Sequence, residues 1–218
     1  MPRVYSTYRS SSGKHVALEF VKPLGPSPLY RNPNPTLLFL GKSPDHSESS
    51  VLIKLVAPKC YGEAVHRMLA EKGLAPLLHG TACVAGAPSA IVMEYLDASS
   101  QWMTLQDYVK ECQEIRITTE HPRLIELLET MKTEGFVHGD LRPNNIMCRE
   151  LLGPWNERGD LEIKVIDFDW AGKLGVARYP AIMNPDIAWP GRRRDLIGED
   201  DDRILLSKTL AKLYPCDD

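Results

Sequence analysis

The sequence lacks the features that define several classes of protein. No apolar run approaches the roughly 18 residues that a membrane-spanning helix needs, and residues 1–12 are polar, without an apolar run. The net charge of −3 offers no basic field for a nucleic-acid backbone or an anionic membrane surface. We therefore expect an intracellular protein for which neither nucleic acid nor a membrane is the default partner.

Cysteine usage excludes two further kinds of site. The five cysteines lie far apart and form no C-x-x-C pair, so neither a zinc site nor a dithiol redox pair is indicated. They are Cys60, Cys83, Cys112, Cys148 and Cys216. We expect reduced thiols with structural roles. The rest of the composition, 43% hydrophobic and 25% charged residues, is that of a globular chain with a real core.

The first 96 residues predict mainly strands. The apolar runs with the length and composition of strands occupy residues 15–21, 36–40, 51–56 and 90–96. Residues 61–72 have the apolar spacing of a helix, and the proline-rich stretch at 23–35 indicates a loop. Residues 97–101 are polar and predict a linker between two lobes.

From residue 104 onward the apolar spacing becomes helical. Thr104 can cap a short helix through Cys112. Thr119, with Pro122 just inside, can start a longer helix. The elements predicted after it are two hairpin strands joined by a turn, and a final helix, at residues 145–147, 161–166 and 200–213.

Two segments carry most of the chemical information. Residues 136–147 read F-V-H-G-D-L-R-P-N-N-I-M, and residues 165–170 read V-I-D-F-D-W. They match the signature H-x-D-L-x-x-x-N followed by an apolar strand that ends in D-F. The matching residues are His138, Asp140, Leu141, Asn145, Asp167 and Phe168. By these motifs the chain resembles the protein-kinase superfamily, most clearly over residues 51–170.

This resemblance implies an α+β, two-lobed, protein-kinase-like fold. The β-rich N-lobe would comprise residues 1–96, and a shortened helical C-lobe would comprise residues 97–218. The implied activity is ATP-dependent phosphoryl transfer to a hydroxyl acceptor. Asp140 would be catalytic, because it would orient the acceptor hydroxyl and take its proton. Arg142 would place a cation near the transferred phosphoryl group.

ATP and Mg²⁺ are the cofactors that the resemblance implies. Asn145 and Asp167 would hold Mg²⁺, a hard cation that prefers carboxylate and amide oxygens. The third position of the family's D-F-G motif is Asp169 in this chain. This added carboxylate is similar to the acid that lies near the metal in some aminoglycoside and choline kinases.

Four residues outside the two motif segments would bind the nucleotide. Lys54 would contact the α and β phosphates and pair with Glu63. Glu71 is the alternative partner for Lys54 because it lies on the same predicted helix. The backbone groups of Glu94 and Leu96, near the end of a predicted strand, would contact adenine.

Departures from the family pattern keep two other functions open. No G-x-G-x-x-G sequence lies between the first strands, which favours a non-catalytic, nucleotide-binding pseudokinase module. Asp169 and the short remainder of the chain after it, which lacks an A-P-E segment, favour a small-molecule kinase with a truncated C-lobe. The hydroxyl acceptor, whether a protein or a small molecule, and the oligomeric state stay open.

Two charged runs each have two interpretations. Arg192, Arg193 and Arg194 are either a solvated loop or a site for an acidic substrate. Residues 200–202 are all aspartate. They are either charges that favour the start of a helix or, by the resemblance, include a hydrogen-bond acceptor for the catalytic loop.

Overall fold

The computed structural model describes residues 5–24, 37–46, 50–112, 115–151 and 160–214. Thr36, Cys216 and most of the predicted proline-rich loop and hairpin turn lie outside these residues. The chain divides into two compact units. The first comprises Met1–Tyr61 and Pro76–Leu96, and the second comprises Gly62–Ala75 and Asp97–Asp218. All four α-helices of the described residues belong to the second unit, so the α+β class with a β-rich first part is confirmed.

The first unit is built on one seven-stranded antiparallel sheet. Its strands are β1 (Thr7–Ser10), β2 (His15–Ala17), β3 (Glu19–Pro23), β4 (Leu37–Lys42), β5 (Val51–Val56), β6 (Leu78–Ala82) and β7 (Ser89–Glu94). They lie in the order β2-β1-β6-β7-β5-β4-β3. The sequence did not predict β1 and β6, because β1 buries only Tyr8 of its four residues and Gly80 interrupts β6.

The run predicted as one strand at residues 15–21 is split into β2 and β3. The two pieces have different partners, since β2 pairs with β1 and β3 pairs with β4. Leu18 lies between them, and its N–H donates to the carbonyl oxygen of Ser6 at 2.9 Å. The break therefore comes from a change of neighbour, which the apolar pattern alone does not reveal.

Side chains of β5 and β7 alternate between two apolar clusters. Val51 and Ile53 are fully buried, together with Val92 of β7, in a cluster that includes rings from β1 and β4. Ile91 and Met93 belong to the second cluster. This alternation is the period of two that a strand imposes on its side chains. It fixes the register of the two central strands.

The second unit contains four helices and two small sheets. The helices are α1 (Glu63–Glu71), α2 (Leu105–Glu111), α3 (Pro122–Thr133) and α4 (Asp201–Ala211). One sheet has the order β11-β10-β8, formed by β8 (Met103–Thr104), β10 (Ile146–Glu150) and β11 (Leu161–Val165). The other pairs β9 (Phe136–Val137) with β12 (Gly172–Lys173). The predicted hairpin is confirmed, because Ile146 pairs with Val165 in an antiparallel register.

Two helix starts had been predicted from capping residues. Thr104 caps α2 as predicted, since its hydroxyl oxygen accepts the N–H of Asp107 at 3.1 Å. The predicted start of α3 at Thr119 is wrong. His121 is the capping residue, and its ring nitrogen accepts the N–H of Arg123 at 3.3 Å. Pro122 is the first helical residue because proline has no N–H to lose at that position.

Residues 62–75 belong to the second unit, although the sequence analysis had placed them in the first lobe. The N–H of Gly62 donates to the carbonyl oxygen of Phe168 at 2.8 Å. The N–H of Val165 donates to the carbonyl oxygen of Leu74 at 2.8 Å. Both ends of the segment are therefore bonded to the strand and turn that carry Asp167. Among the described residues, no helix has the length and apolar character needed to cross a membrane.

Candidate active site

The loop that carries Asp140 begins directly after β9 and is held at its start by α4. Asp202, a buried residue of α4, accepts the N–H of His138 at 2.7 Å and the N–H of Gly139 at 2.8 Å. Burial raises the pKa of Asp202, and the two hydrogen bonds that it accepts from backbone N–H groups oppose that rise. Of the three consecutive aspartates, Asp202 thus serves as a hydrogen-bond acceptor for this loop.

His138 is a scaffold of the same loop. Its ring is fully buried, and Nδ1 accepts the N–H of Asp140 at 3.3 Å. Nε2 lies 3.1 Å from the carbonyl oxygen of Ile166. These partners assign the neutral tautomer with the proton on Nε2, because a carbonyl can only accept. His138 therefore joins the Asp140 loop to the end of β11.

Asp140 is surrounded by two side chains that donate to its carboxylate. Arg142 donates through Nε to Oδ1 and through Nη2 to Oδ2, the second bond at 2.9 Å. Asn145 donates through Nδ2 to Oδ2 at 3.0 Å and to the backbone oxygen of Asp140 at 2.9 Å. The Asp140 side chain is 13% exposed. It is therefore a largely buried carboxylate with a small opening to solvent.

Competing effects act on the pKa of Asp140. Burial is the largest effect and raises the pKa, because it disfavours the charged form. Hydrogen bonding and attraction from Arg142 oppose this rise, and the charge of Asp167 adds to it. Burial prevails, so the carboxylate of Asp140 holds a proton more readily than a free aspartate does.

Asp167 lies two residues after β11 and directly follows Ile166, which bonds to Asn145. The N–H of Ile166 donates to the backbone oxygen of Asn145 at 2.9 Å, which brings the end of the strand to the Asp140 loop. Asp167 has φ of +68°, a left-handed conformation that costs a non-glycine residue roughly 1–2 kcal/mol. Residues with such a strained backbone persist where the surrounding structure holds them in place, and they are frequent at functional sites. Asp169 follows in the same turn and, like Asp167, is half-buried.

The structure brings together four of the five residues of the second unit that were predicted to be catalytic or to bind metal. Asp140, Arg142 and Asn145 are in direct contact, and Asp167 is close enough to affect the protonation of Asp140. Glu63, on α1 of the same unit, forms an ion pair with Arg67, Oε1 to Nη2, at 2.7 Å. This partner was not foreseen. The pairing of Lys54 with Glu63 or Glu71 stays a prediction.

The remaining predicted nucleotide residues lie in the first unit. Lys54 is buried at the middle of β5, opposite Ile91 of β7, and its Nζ lies 6.0 Å from the centre of the Tyr61 ring. The carboxylate of Glu94 accepts the N–H of Leu77 at 3.0 Å. The N–H of Glu94 donates to the carbonyl oxygen of Leu77 at 2.9 Å. The contact of Glu94 with adenine stays a prediction.

Two residues of the second unit that pack beside the candidate site escaped the sequence analysis. His66, on α1, is fully buried and stacks on the ring of Phe168, with ring centres 4.5 Å apart and planes at 9°. Phe168 meets His138 edge-on at 5.3 Å. Trp189 lies beside Arg142, whose Cζ is 5.4 Å from the centre of the indole ring. A histidine on the apolar side of a predicted helix was the available signal for His66, whereas Trp189 gave none.

The comparisons with known proteins agree with this architecture. No family model and no curated protein matches the sequence. Among solved structures, the PK-1 kinase of Cydia pomonella granulovirus has a similar fold, with a TM-score of 0.51 and 18% identity. The match covers 77% of this chain and 55% of the viral kinase, so the chain spans about half of that protein. At this identity the likeness shows the fold, which is a two-lobed, protein-kinase-like fold.

Proposed function

We propose that this chain is an ATP-dependent phosphotransferase that transfers the γ-phosphoryl group to a hydroxyl acceptor. The observation that supports it best is the convergence of Asp140, Asn145 and Asp167 on one loop and strand end of a kinase-like unit. Phosphoryl transfer depends mainly on positioning and on neutralising phosphate charge. A rigid, largely buried cluster of two carboxylates and an amide suits both requirements.

Asp140 is the proposed base, and Oδ1 is the atom that would take the proton. Each carboxylate oxygen can accept about two hydrogen bonds. Within the described residues, Oδ2 already accepts from Arg142 and from Asn145, whereas Oδ1 accepts from Arg142. Oδ1 therefore has capacity for an acceptor hydroxyl. The backbone bonds to Asp202 and His138 keep this oxygen in place.

The donor set around Asp167 fits Mg²⁺. Among the described residues, no three His, Cys, Asp or Glu side chains form a group that could hold a metal ion by themselves. Mg²⁺ needs fewer protein ligands, because it keeps several waters and binds substrate phosphates. Asp167, Asp169 and the amide oxygen of Asn145, whose nitrogen is turned to Asp140, would hold it. The cation would neutralise charge on the phosphates.

ATP would also be contacted by residues of the first unit. Lys54 is proposed to bind the α and β phosphates, and Glu63 is proposed to support it, with Glu71 as the alternative. The backbone of Glu94 and Leu96 is proposed to meet adenine. These roles rest on the resemblance and on the burial of Lys54 in the middle of a strand.

Two other functions have one observation each in their favour. Nucleotide binding without transfer is favoured by the lack of a G-x-G-x-x-G sequence between the first strands. A small-molecule acceptor is favoured by Asp169, which adds a carboxylate beside the proposed metal ligands. The phosphotransferase proposal and the small-molecule alternative both involve phosphoryl transfer to a hydroxyl.

The deciding experiment measures binding and transfer separately. Wild type and Asp140→Asn are incubated with γ-labelled ATP and Mg²⁺, alone and with protein or small-molecule hydroxyl acceptors. A thermal-shift titration with ATP and Mg²⁺ measures binding in parallel. We expect near-equal binding and at least about a hundredfold loss of transfer in the variant, the low end for losing a positioned base. Binding without transfer in wild type would favour the non-catalytic module, and normal transfer by Asp140→Asn would remove Asp140 from the reaction.

A further inference from the structure

Trp189 lies in an aromatic cluster that the proposed function does not use. Its ring centre is 5.0 Å from that of Trp170 and 6.3 Å from that of Tyr179. The indole Nε1–H donates to the carbonyl oxygen of Asn184 at 2.8 Å. Trp189 is half-buried. The indole is therefore held on several sides, and its orientation is defined by the surrounding segment.

The aromatic cluster is anchored to the same helix that holds the Asp140 loop. The hydroxyl of Tyr179 donates to Oδ2 of Asp201 at 3.0 Å, and Asp201 is the neighbour of Asp202 on α4. Gly191 packs against the Tyr179 ring so closely that a Cβ there would lie 2.5 Å from a ring carbon. The cluster and the loop therefore share one rigid support.

Arg142 connects the cluster to the proposed base. The guanidinium that makes two hydrogen bonds to Asp140 also lies over the ring of Trp189, with Cζ 5.4 Å from its centre. A planar guanidinium both pairs with a carboxylate through two donors and stacks on an aromatic face. Both preferences are satisfied by one orientation of Arg142. The indole thus favours the rotamer in which Arg142 lies across Asp140.

We propose that Trp189 is a positioning residue, whose ring face holds the guanidinium of Arg142 in its two-bond contact with the Asp140 carboxylate. Asn184 and Tyr179 orient the ring, and the ring orients Arg142. Without the ring face, Arg142 would sample other rotamers and the contact with Oδ1 would be made only part of the time.

The consequence for the reaction rests on the proposed phosphotransferase function. Arg142 uses one of the two accepting sites of Oδ1. Its position therefore determines from which direction a hydroxyl can approach the second accepting site. Trp189 would therefore affect the use of the acceptor. Trp189 is not among the residues proposed to bind ATP, so its replacement should leave ATP binding unchanged.

The first test needs no nucleotide, so it stays informative if the chain transfers nothing. Proton exchange at Nε of Arg142 is measured by NMR in the full chain, with the signal assigned by its loss in Arg142→Lys. Trp189→Leu removes every aromatic ring, whereas Trp189→Phe removes the five-membered ring with its N–H and keeps a six-membered ring face. We expect exchange roughly tenfold faster in Trp189→Leu, as the loss of a cation–π contact predicts, and close to wild type in Trp189→Phe.

The controls distinguish this effect from a general loss of structural stability. Trp102 forms a cation–π pair with Arg149, Cζ 4.8 Å from the ring centre, so Trp102→Leu removes a comparable contact elsewhere in the same unit. It should leave exchange at Arg142 Nε unchanged. Exchange at the Gly139 amide, which Asp202 holds, reports whether the loop itself stays folded. If Trp189→Leu does not fold, replacement of all tryptophans by fluorotryptophan weakens the ring faces at nearly constant shape and should also speed exchange at Arg142.

Three results would overturn the proposal. They are equal exchange in Trp189→Leu and wild type, equal acceleration in Trp189→Phe and Trp189→Leu, and no effect of fluorination. If the wild type transfers phosphate, Trp189→Leu should raise the acceptor KM or lower kcat severalfold and leave the ATP KM unchanged. An altered ATP KM with an unaltered acceptor response would contradict the proposed consequence but not the transferase activity.

Discussion

Removing the carboxylate of Asp202 tests how the Asp140 loop is held. Asp202→Ala takes the acceptor from two buried backbone N–H groups, those of His138 and Gly139. Each buried donor left without a partner costs about 1–3 kcal/mol. The variant also no longer buries a carboxylate, and this offsets part of that cost. Burial disfavours the charged form, as the raised pKa of Asp202 indicates. We expect the free energy of unfolding to fall by about 3 kcal/mol, a large part of the stability of an ordinary domain.

The assay is equilibrium unfolding in urea, with Asp200→Ala as the matched control. Asp200 stands two residues earlier at the same helix start, is exposed, and makes no side-chain capping hydrogen bond. Its replacement should change the unfolding free energy by less than about 0.5 kcal/mol. Amide exchange at Gly139 should become faster only in Asp202→Ala. Equal losses in the two variants would show that a charge at the helix start, not the loop contact, explains the effect.

The pH dependence of the same site has a defined sign. Burial raises the pKa of Asp202 in the folded protein above its unfolded value. The folded state therefore binds this proton more tightly, so the stability contribution is fully present below the unfolded pKa and is lost as the pH rises through the folded pKa. Asp202→Asn cannot titrate. The stability of the wild type relative to Asp202→Asn should thus decrease as the pH rises from the acid side, and an increase would refute the reasoning.

Three further substitutions test the proposed nucleotide site and its support. Asp167→Asn should abolish Mg²⁺-dependent nucleotide binding or turnover, measured by ATP titration with and without Mg²⁺, because an amide lacks the charge that holds the cation. Lys54→Met should weaken ATP binding by about tenfold or more through loss of a charge-assisted contact while circular dichroism stays unchanged. His66→Ala leaves a cavity beside Phe168 and should lower the unfolding free energy by about 2 kcal/mol. Arg67→Ala, at a half-buried position on the same helix, should have little effect. A harmless His66→Ala would show that the stack carries no stability.

The residues of the candidate site were predictable where the motif is local. His138, Asp140 and Asn145 lie within eight residues of one another, and their spacing alone places them on one loop. Asp167 was predictable because a short apolar strand leads into it. The hydrogen bonds of Asp140 to Arg142 and Asn145 were not, since they depend on rotamers that the backbone of the loop selects.

Contacts between distant segments were beyond the reach of sequence patterns. Trp189 meets Arg142, and Gly62 bonds to Phe168, across long stretches of chain whose path no periodicity encodes. A helix at residues 61–72 was predicted from its apolar spacing, and α1 lies within that range. Its place in the second unit was not predicted, because contacts such as the bond from Gly62 to Phe168 leave no pattern in the sequence. The short strands β9 and β12 were not predicted for a related reason. They have two residues each, and they are stabilised by pairing with each other.

The arginine on the proposed base makes Asp140 a weaker base, because its charge favours the ionised carboxylate. The transition state of phosphoryl transfer is loose in most analyses, so the acceptor needs orientation more than early loss of its proton. Oδ1 can orient a hydroxyl while Arg142 occupies its other accepting site. Burial moreover raises the pKa of Asp140 against the effect of Arg142, which keeps the carboxylate able to receive the proton late in the reaction. The pair of Asp140 and Arg142 is therefore compatible with transfer, and it does not by itself favour the non-catalytic alternative.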